Sequence, residues 1–105
     1  MKVLLDACVP RPLRKFLPAH TVHTAQEMGW GELKNGALLQ AVEPQFDVFL
    51  TSDQNLKYQQ NIAGRKLAIL VLPTNDWPAL RSMADKIAVV VATLKSGDFV
   101  EMPLV

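Results

Sequence analysis

With 105 residues, half of them hydrophobic and a fifth charged, the chain has material for one core and not two, and its composition excludes disorder as the default. Eleven basic residues against ten acidic leave a net charge of +1, which argues against binding through a broad basic face but leaves room for a nuclease that works with a few local cations. The single cysteine, Cys8, excludes an internal disulfide, no apolar run approaches the roughly 20 residues of a membrane span, and Asp6 comes too early for a signal peptide; a cytoplasmic protein without a membrane partner is expected.

Lys2–Leu5 reads as a strand that ends at Asp6. Leu13, Phe16 and Leu17 then form the apolar stripe of a helix closed by Pro18, and Thr21-Val22-His23 is a short strand. Thr24 and Glu27 stand in capping-box register, with Gly29 as a stop. The segment from Gly29 to Lys34 has no periodicity and reads as a loop. Asn35-Gly36 opens a helix over Ala37–Val42 that ends before Pro44. Asp47–Leu50 is a strand ending in Thr51-Ser52-Asp53, and Leu67–Leu72 is an apolar strand stopped by Pro73. One long helix follows, capped by Asn75 or Asp76, with Pro78 in its first turn. Its stripe of Leu80, Met83, Ala84, Ile87, Val90, Val91 and Leu94 runs on until Ser96-Gly97. Phe99–Met102 is an edge strand. Uninterrupted apolar strands alternating with helices predict a single α/β domain over residues 1–105, built on a mostly parallel sheet of four to five strands covered on both faces.

In such a sheet, ligands bind beyond the carboxyl ends of the strands, where Asp6 and Asp53 both fall. If their strands are neighbours, two carboxylates meet in the crevice and repel unless a cation lies between them; hard carboxylate oxygens suit Mg²⁺ or Mn²⁺. Each aspartate alone would serve equally well as a helix cap. Other chemistries find less material. The glycines are scattered, so no phosphate loop forms. His20 and His23 are placed to face apart, Cys8 has no histidine partner and reads as a buried apolar filler, and Ser52, Ser82 and Ser96 lie in no nucleophile elbow. Arg11, Arg14 and Lys15, and more loosely Lys57, Arg65 and Lys66, read as solvated faces.

Three stretches carry a resemblance: Asp6-Ala7-Cys8-Val9-Pro10, Leu33-Lys34-Asn35-Gly36-Ala37-Leu38-Leu39, and Phe46-Asp47-Val48-Phe49-Leu50-Thr51-Ser52-Asp53-Gln54-Asn55-Leu56. In order and spacing they resemble the short bacterial PIN-like domain family, which is related to the PIN ribonuclease toxins of toxin–antitoxin pairs. The resemblance implies a PIN-type three-layer α/β/α sandwich and a Mg²⁺-dependent endoribonuclease. Asp6 and Asp53 would hold a weakly bound Mg²⁺ or Mn²⁺, Glu32 or Asn35 would complete the catalytic site, and Thr51 or Ser52 would orient ligands. RNA is the implied substrate, an antitoxin-like small protein the implied partner, and a homo-oligomer is compatible with the pattern. The family places further acids where this chain has Ala7, Asn35 and Asn55, so the same resemblance also implies an alternative, a catalytically weak module that binds an antitoxin-like partner or RNA. A receiver-like phospho-acceptor centred on Asp53 fits the topology too, but it requires an acidic pair after the first strand and a lysine ending a late strand, where Ala7 and Pro73 stand.

Overall fold

The computed structural model describes residues 1–56 and 64–104, the side chain of Asn35 apart. Its strands are β1 (Lys2–Leu5), β2 (Thr21–Thr24), β3 (Val48–Thr51), β4 (Ala68–Val71) and β5 (Phe99–Glu101). They form one sheet in the order β2-β1-β3-β4-β5, and every pairing is parallel. The register places Leu4, Phe49 and Ile69 side by side across the three central strands. The α/β class expected from the sequence is present, and β5 takes the edge position.

Successive side chains on a strand point to opposite faces, so each central strand feeds two cores. Val3, Leu5, Val48, Leu50, Ala68 and Leu70 share one core with Leu13, Leu17, Leu80, Ile87 and Val91. Leu4, Phe49, Ile69 and Val71 share the other with Leu38, Leu39 and Val42. Burial on both sides is the reason these strands read as continuous apolar runs. The covering elements are a 3₁₀ helix (Arg11–Phe16), α1 (Asn35–Val42), α2 (Trp77–Ser82) and α3 (Ala84–Thr93). Helical segments on both faces of the sheet make a three-layer arrangement. No helix among the described residues is long and apolar enough to cross a membrane.

Three helical expectations change in detail. The Leu13–Leu17 stripe is carried by a 3₁₀ helix, with Leu13 N bonded to Pro10 O and Leu17 N to Arg14 O, between Pro12 in its first turn and Pro18 just beyond it. The long helix after Asp76 is two. Asp76 caps the first, its Oδ2 accepting from Ala79 N at 3.2 Å. Ser82 Oγ then donates to the Ala79 carbonyl at 2.7 Å, the acceptor that Met83 N would use in a continuous helix. Met83 N falls back to Leu80 O at 3.0 Å, with φ −117° and ψ 16° at Met83, and α3 starts afresh at Ala84. The apolar stripe survives the break, because Leu80, Met83, Ala84, Ile87 and Val91 all lie in one core.

The Thr24–Glu27 box does form, but it closes a single turn. Thr24 N donates to Glu27 Oε1 at 2.8 Å and Glu27 N to Thr24 Oγ1 at 3.1 Å. Gly29, at φ +76°, then ends the turn: Trp30 N reaches Ala25 O at 2.8 Å and Gly29 N reaches Gln26 O at 3.1 Å. That pair of bonds is a Schellman closure, in which the left-handed residue is best a glycine. The Thr24 amide bond, and then the Arg14 guanidinium, hold the Glu27 carboxyl below its usual range. A carboxylate with a depressed folded-state pKa stabilises the protein above its unfolded pKa, and that contribution is lost as pH falls through the folded value. A Glu27→Gln variant is therefore expected to melt lower than wild type at neutral pH and to lose less stability on acidification below pH ~4; thermal melts across the acid range check this.

Candidate functional site

The chain leaves β1 toward the core that holds Leu13 and Leu17, whereas beyond β3 Leu56 packs into the opposite core. The two connections part to opposite faces between adjacent strands. In a doubly wound sheet of this order, that point is where a crevice opens and ligands bind. Asp6 follows β1 and Asp53 lies just beyond β3, so both predicted carboxylates stand at the switch point. Asp6 N extends the pairing by donating to Leu50 O at 2.9 Å.

Thr51 ties the two aspartates together. It is almost fully buried at the last position of β3, and its hydroxyl donates to Asp6 Oδ2 at 2.7 Å while accepting from Asp53 N at 3.1 Å. The other Asp6 oxygen, Oδ1, accepts from Ala7 N at 2.7 Å. Asp6 is therefore a half-buried, hydrogen-bonded carboxylate, anchored to the neighbouring strand. Asp53 Oδ1 accepts from Asn55 N at 3.0 Å, which orients its carboxylate against its own loop. Gln54 Nε2 donates to Leu72 O at 2.6 Å and fastens this loop to the end of β4.

Cys8 is corrected by the structure. It is exposed, with Sγ 3.6 Å from Asp6 Oδ2 and accepting from Ser52 Oγ at 3.0 Å. The apolar run of β1 has ended at Leu5, and Ala7 and Cys8 are both exposed in the turn that follows, so Cys8 lines the crevice rather than the core. Gln26 is the other contributor the sequence did not disclose; its Nε2 donates to Ala7 O at 3.3 Å and supports the same turn. Only their proximity to Asp6 in three dimensions marks either residue.

Glu32 sits exposed in the 31–34 segment. Among the described residues, no three histidine, cysteine, aspartate or glutamate side chains converge to hold a metal, so Glu32 is not gathered with Asp6 and Asp53. Asn35 begins α1, and its side chain lies outside the described residues, as does Lys57. Among the described residues, the crevice thus offers the carboxylates of Asp6 and Asp53, the hydroxyls of Thr51 and Ser52 and the thiol of Cys8. Two carboxylates suit a hydrated Mg²⁺ or Mn²⁺, which keeps several waters and is completed by substrate phosphate; they do not suit a metal caged by protein alone. His20 and His23 stay apart: His20 Nδ1 lies 3.4 Å from the Met1 amine, and His23 meets Phe46 edge-on with centroids 5.9 Å apart.

No protein-family model, curated protein or solved structure matches the chain. The strand order is shared with receiver-type folds, but position 7 is alanine and β4 runs into Pro73, so the acid and the lysine of a phospho-acceptor site are both missing from those places.

Proposed function

We propose that this is a PIN-like domain acting in the cytoplasm as a ribonuclease with a reduced acidic site, of the kind found as the toxin of a toxin–antitoxin pair. One observation carries the reading. Asp6 and Asp53 stand at the carboxyl ends of adjacent parallel strands, at the switch point, joined through the Thr51 hydroxyl. Asp6 and Asp53 would hold Mg²⁺ or Mn²⁺, which, when bound, supplies an activated water and neutralises charge developing on a phosphodiester. The chain's own residues do the positioning. Thr51 fixes the Asp6 carboxylate, the Asp53 carboxylate is held by the Asn55 amide, and Ser52 and Cys8 present a hydroxyl and a thiol on the same rim.

Titration calorimetry with MnCl₂ tests this reading. Wild type is expected to bind one ion weakly, Asp6→Asn to bind none, and the double variant Asn35→Asp, Asn55→Asp to bind more tightly, since added anionic oxygen is the usual lever on such affinities. Cleavage of single-stranded RNA should require the ion and vanish in Asp6→Asn. Equal titration curves for all three proteins would remove the metal site.

A second reading is favoured by the absence of a third convergent acid among the described residues. On that reading the domain is a catalytically weak module that holds RNA, an antitoxin-like small protein or a second copy of itself. RNA retention without ion binding or cleavage would select it.

A further inference from the structure

At the other end of the sheet, beneath the amino ends of β1, β3 and β4, lies a cleft of about 490 Å³. That volume is within the range of small-molecule sites. Three lysines line it, Lys2, Lys66 and Lys95, with two carboxylates, Glu43 and Asp47. Their hydrogen bonding divides them sharply. Glu43 is engaged by Arg65 Nη1 at 2.8 Å and by Lys66 N at 3.3 Å, and Asp47 Oδ2 accepts from Lys2 N at 2.8 Å. No ammonium of the three has a carboxylate partner among the described residues; Lys2 Nζ lies 5.0 Å from the centroid of the Phe46 ring. Among the described residues, the carboxylates of the cleft are engaged by hydrogen bonds and the three ammonium groups have no carboxylate partner.

The lysine backbones are also held in place. Ser96 Oγ donates to Lys66 O at 2.7 Å and Gly97 N to the same oxygen at 3.0 Å, pinning the loop before β4 to the loop before β5. Lys95 N donates to Asp98 Oδ2 at 2.8 Å. Gly97 has φ +84°, and a Cβ there would meet Arg65 O at 3.1 Å, so the two loops approach as closely as only glycine permits. Lys2 and Asp47 are locked on the opposite wall, Asp47 N donating back to Lys2 O at 2.8 Å. Fixed backbones remove one part of the ordering cost of a lysine-built anion site, leaving the lysine stems to be ordered by the ligand.

We propose that this cleft binds a small ligand carrying a di- or triphosphate group, with Lys2, Lys66 and Lys95 as its cations. Lysine recognises phosphate as a mobile point charge, and three such charges around one cleft match a multiply charged anion better than a single carboxylate. The floor supplied by Ala68 and Leu94 gives the uncharged part of the ligand an apolar surface. The site is independent of the aspartates, because it lies at the opposite ends of the same strands.

Calorimetric titration with inorganic pyrophosphate and with ADP, on the whole chain without added metal, tests the proposal. Saturable binding is expected for both, and a Lys66→Gln, Lys95→Gln variant should bind at least about tenfold more weakly, since each lost charge-assisted contact commonly carries that factor or more. These exposed lysines pin the loops through backbone atoms, so the variant should melt as wild type does. Lys86→Gln on the exposed side of α3 serves as the control and should bind normally. No saturable binding, equal weakening in the control, or binding of a short RNA in place of pyrophosphate would each overturn the proposal. None of these outcomes depends on Asp6, and repeating the titration in Asp6→Asn should leave it unchanged.

Discussion

Replacing Phe49 by alanine is expected to cost about 3–5 kcal/mol, the largest loss from any single side chain in the domain. Phe49 sits in the middle of β3, the central strand, and only 1% of it is exposed. On its face of the sheet it is flanked in register by Leu4 and Ile69, and the same core holds Leu38, Leu39 and Val42 of α1. Strand residues cannot slide to fill the space, because a one-residue slip would send the apolar set of β3 to the other face. The cavity therefore persists, and both transfer and cavity terms count. A domain of this size has about 5–15 kcal/mol in total, so the variant should unfold at a clearly lower urea concentration than wild type, the midpoint falling in proportion to the stability lost. Val100→Ala on the edge strand, where the side chain is only partly buried, should cost far less. Urea melts of the two variants side by side check the comparison. Similar midpoints for both would mean that the α1-side core is loosely packed.

The strands were legible because they are doubly buried. An apolar run such as Ala68-Ile69-Leu70-Val71 has no other stable use in so short a segment, and the residues that end each run, Asp6, Ser52 and Pro73, punctuate it. The helical segments were less legible, because they depend on competition among local bonds. The stripe from Leu80 to Leu94 is helical in period throughout, yet the backbone breaks at Met83, where the Ser82 hydroxyl rather than Met83 N bonds the Ala79 carbonyl. The same holds at Thr24–Glu27, where the capping box is real and the helix it announces is one turn long, since Gly29 closes it at once.

In the site, the two aspartates could be placed by the end-of-strand rule, but their surroundings could not. The rule says where a strand stops; it does not say that a threonine on the neighbouring strand will donate to the first aspartate and accept from the amide of the second. Repulsion between two carboxylates in the crevice, all that the sequence discloses, would make neutralising Asp6 favourable to the fold. With Ala7 N and Thr51 Oγ1 both donating to it, Asp6→Asn instead discards charge-assisted bonds. Cys8 was misplaced for a related reason: cysteine is among the most buried residue types, and nothing in a single sequence shows that its turn lies open.

Thr51→Val should separate the stability of the site from its chemistry. Valine keeps the branched shape that suits a buried strand position, and its second methyl replaces a hydroxyl that is almost fully enclosed. The fold should survive with a loss of about 1–2 kcal/mol, because Asp6 Oδ2 and Asp53 N each lose a partner but both residues are exposed enough for water to substitute. The chemical effect should be larger. With the hydroxyl gone, the Asp6 carboxylate loses its short bond to β3 and the Asp53 amide loses its acceptor there, and loss of such orienting bonds typically weakens metal binding about 10–100-fold. Thr51→Ser differs from it in binding rather than in stability. It keeps the donor and acceptor, so Mn²⁺ affinity should stay within a few-fold of wild type, while the missing methyl costs stability of the order of 1 kcal/mol. Calorimetric titration with MnCl₂ and thermal melts on the two variants give four numbers, and the expected result is two folded variants of similar stability, of which only serine keeps an Mn²⁺ affinity close to wild type. Valine and serine variants that bind Mn²⁺ alike would show that Thr51 is a fastening of the sheet edge alone, and that whatever holds an ion at Asp6 and Asp53 does so without it.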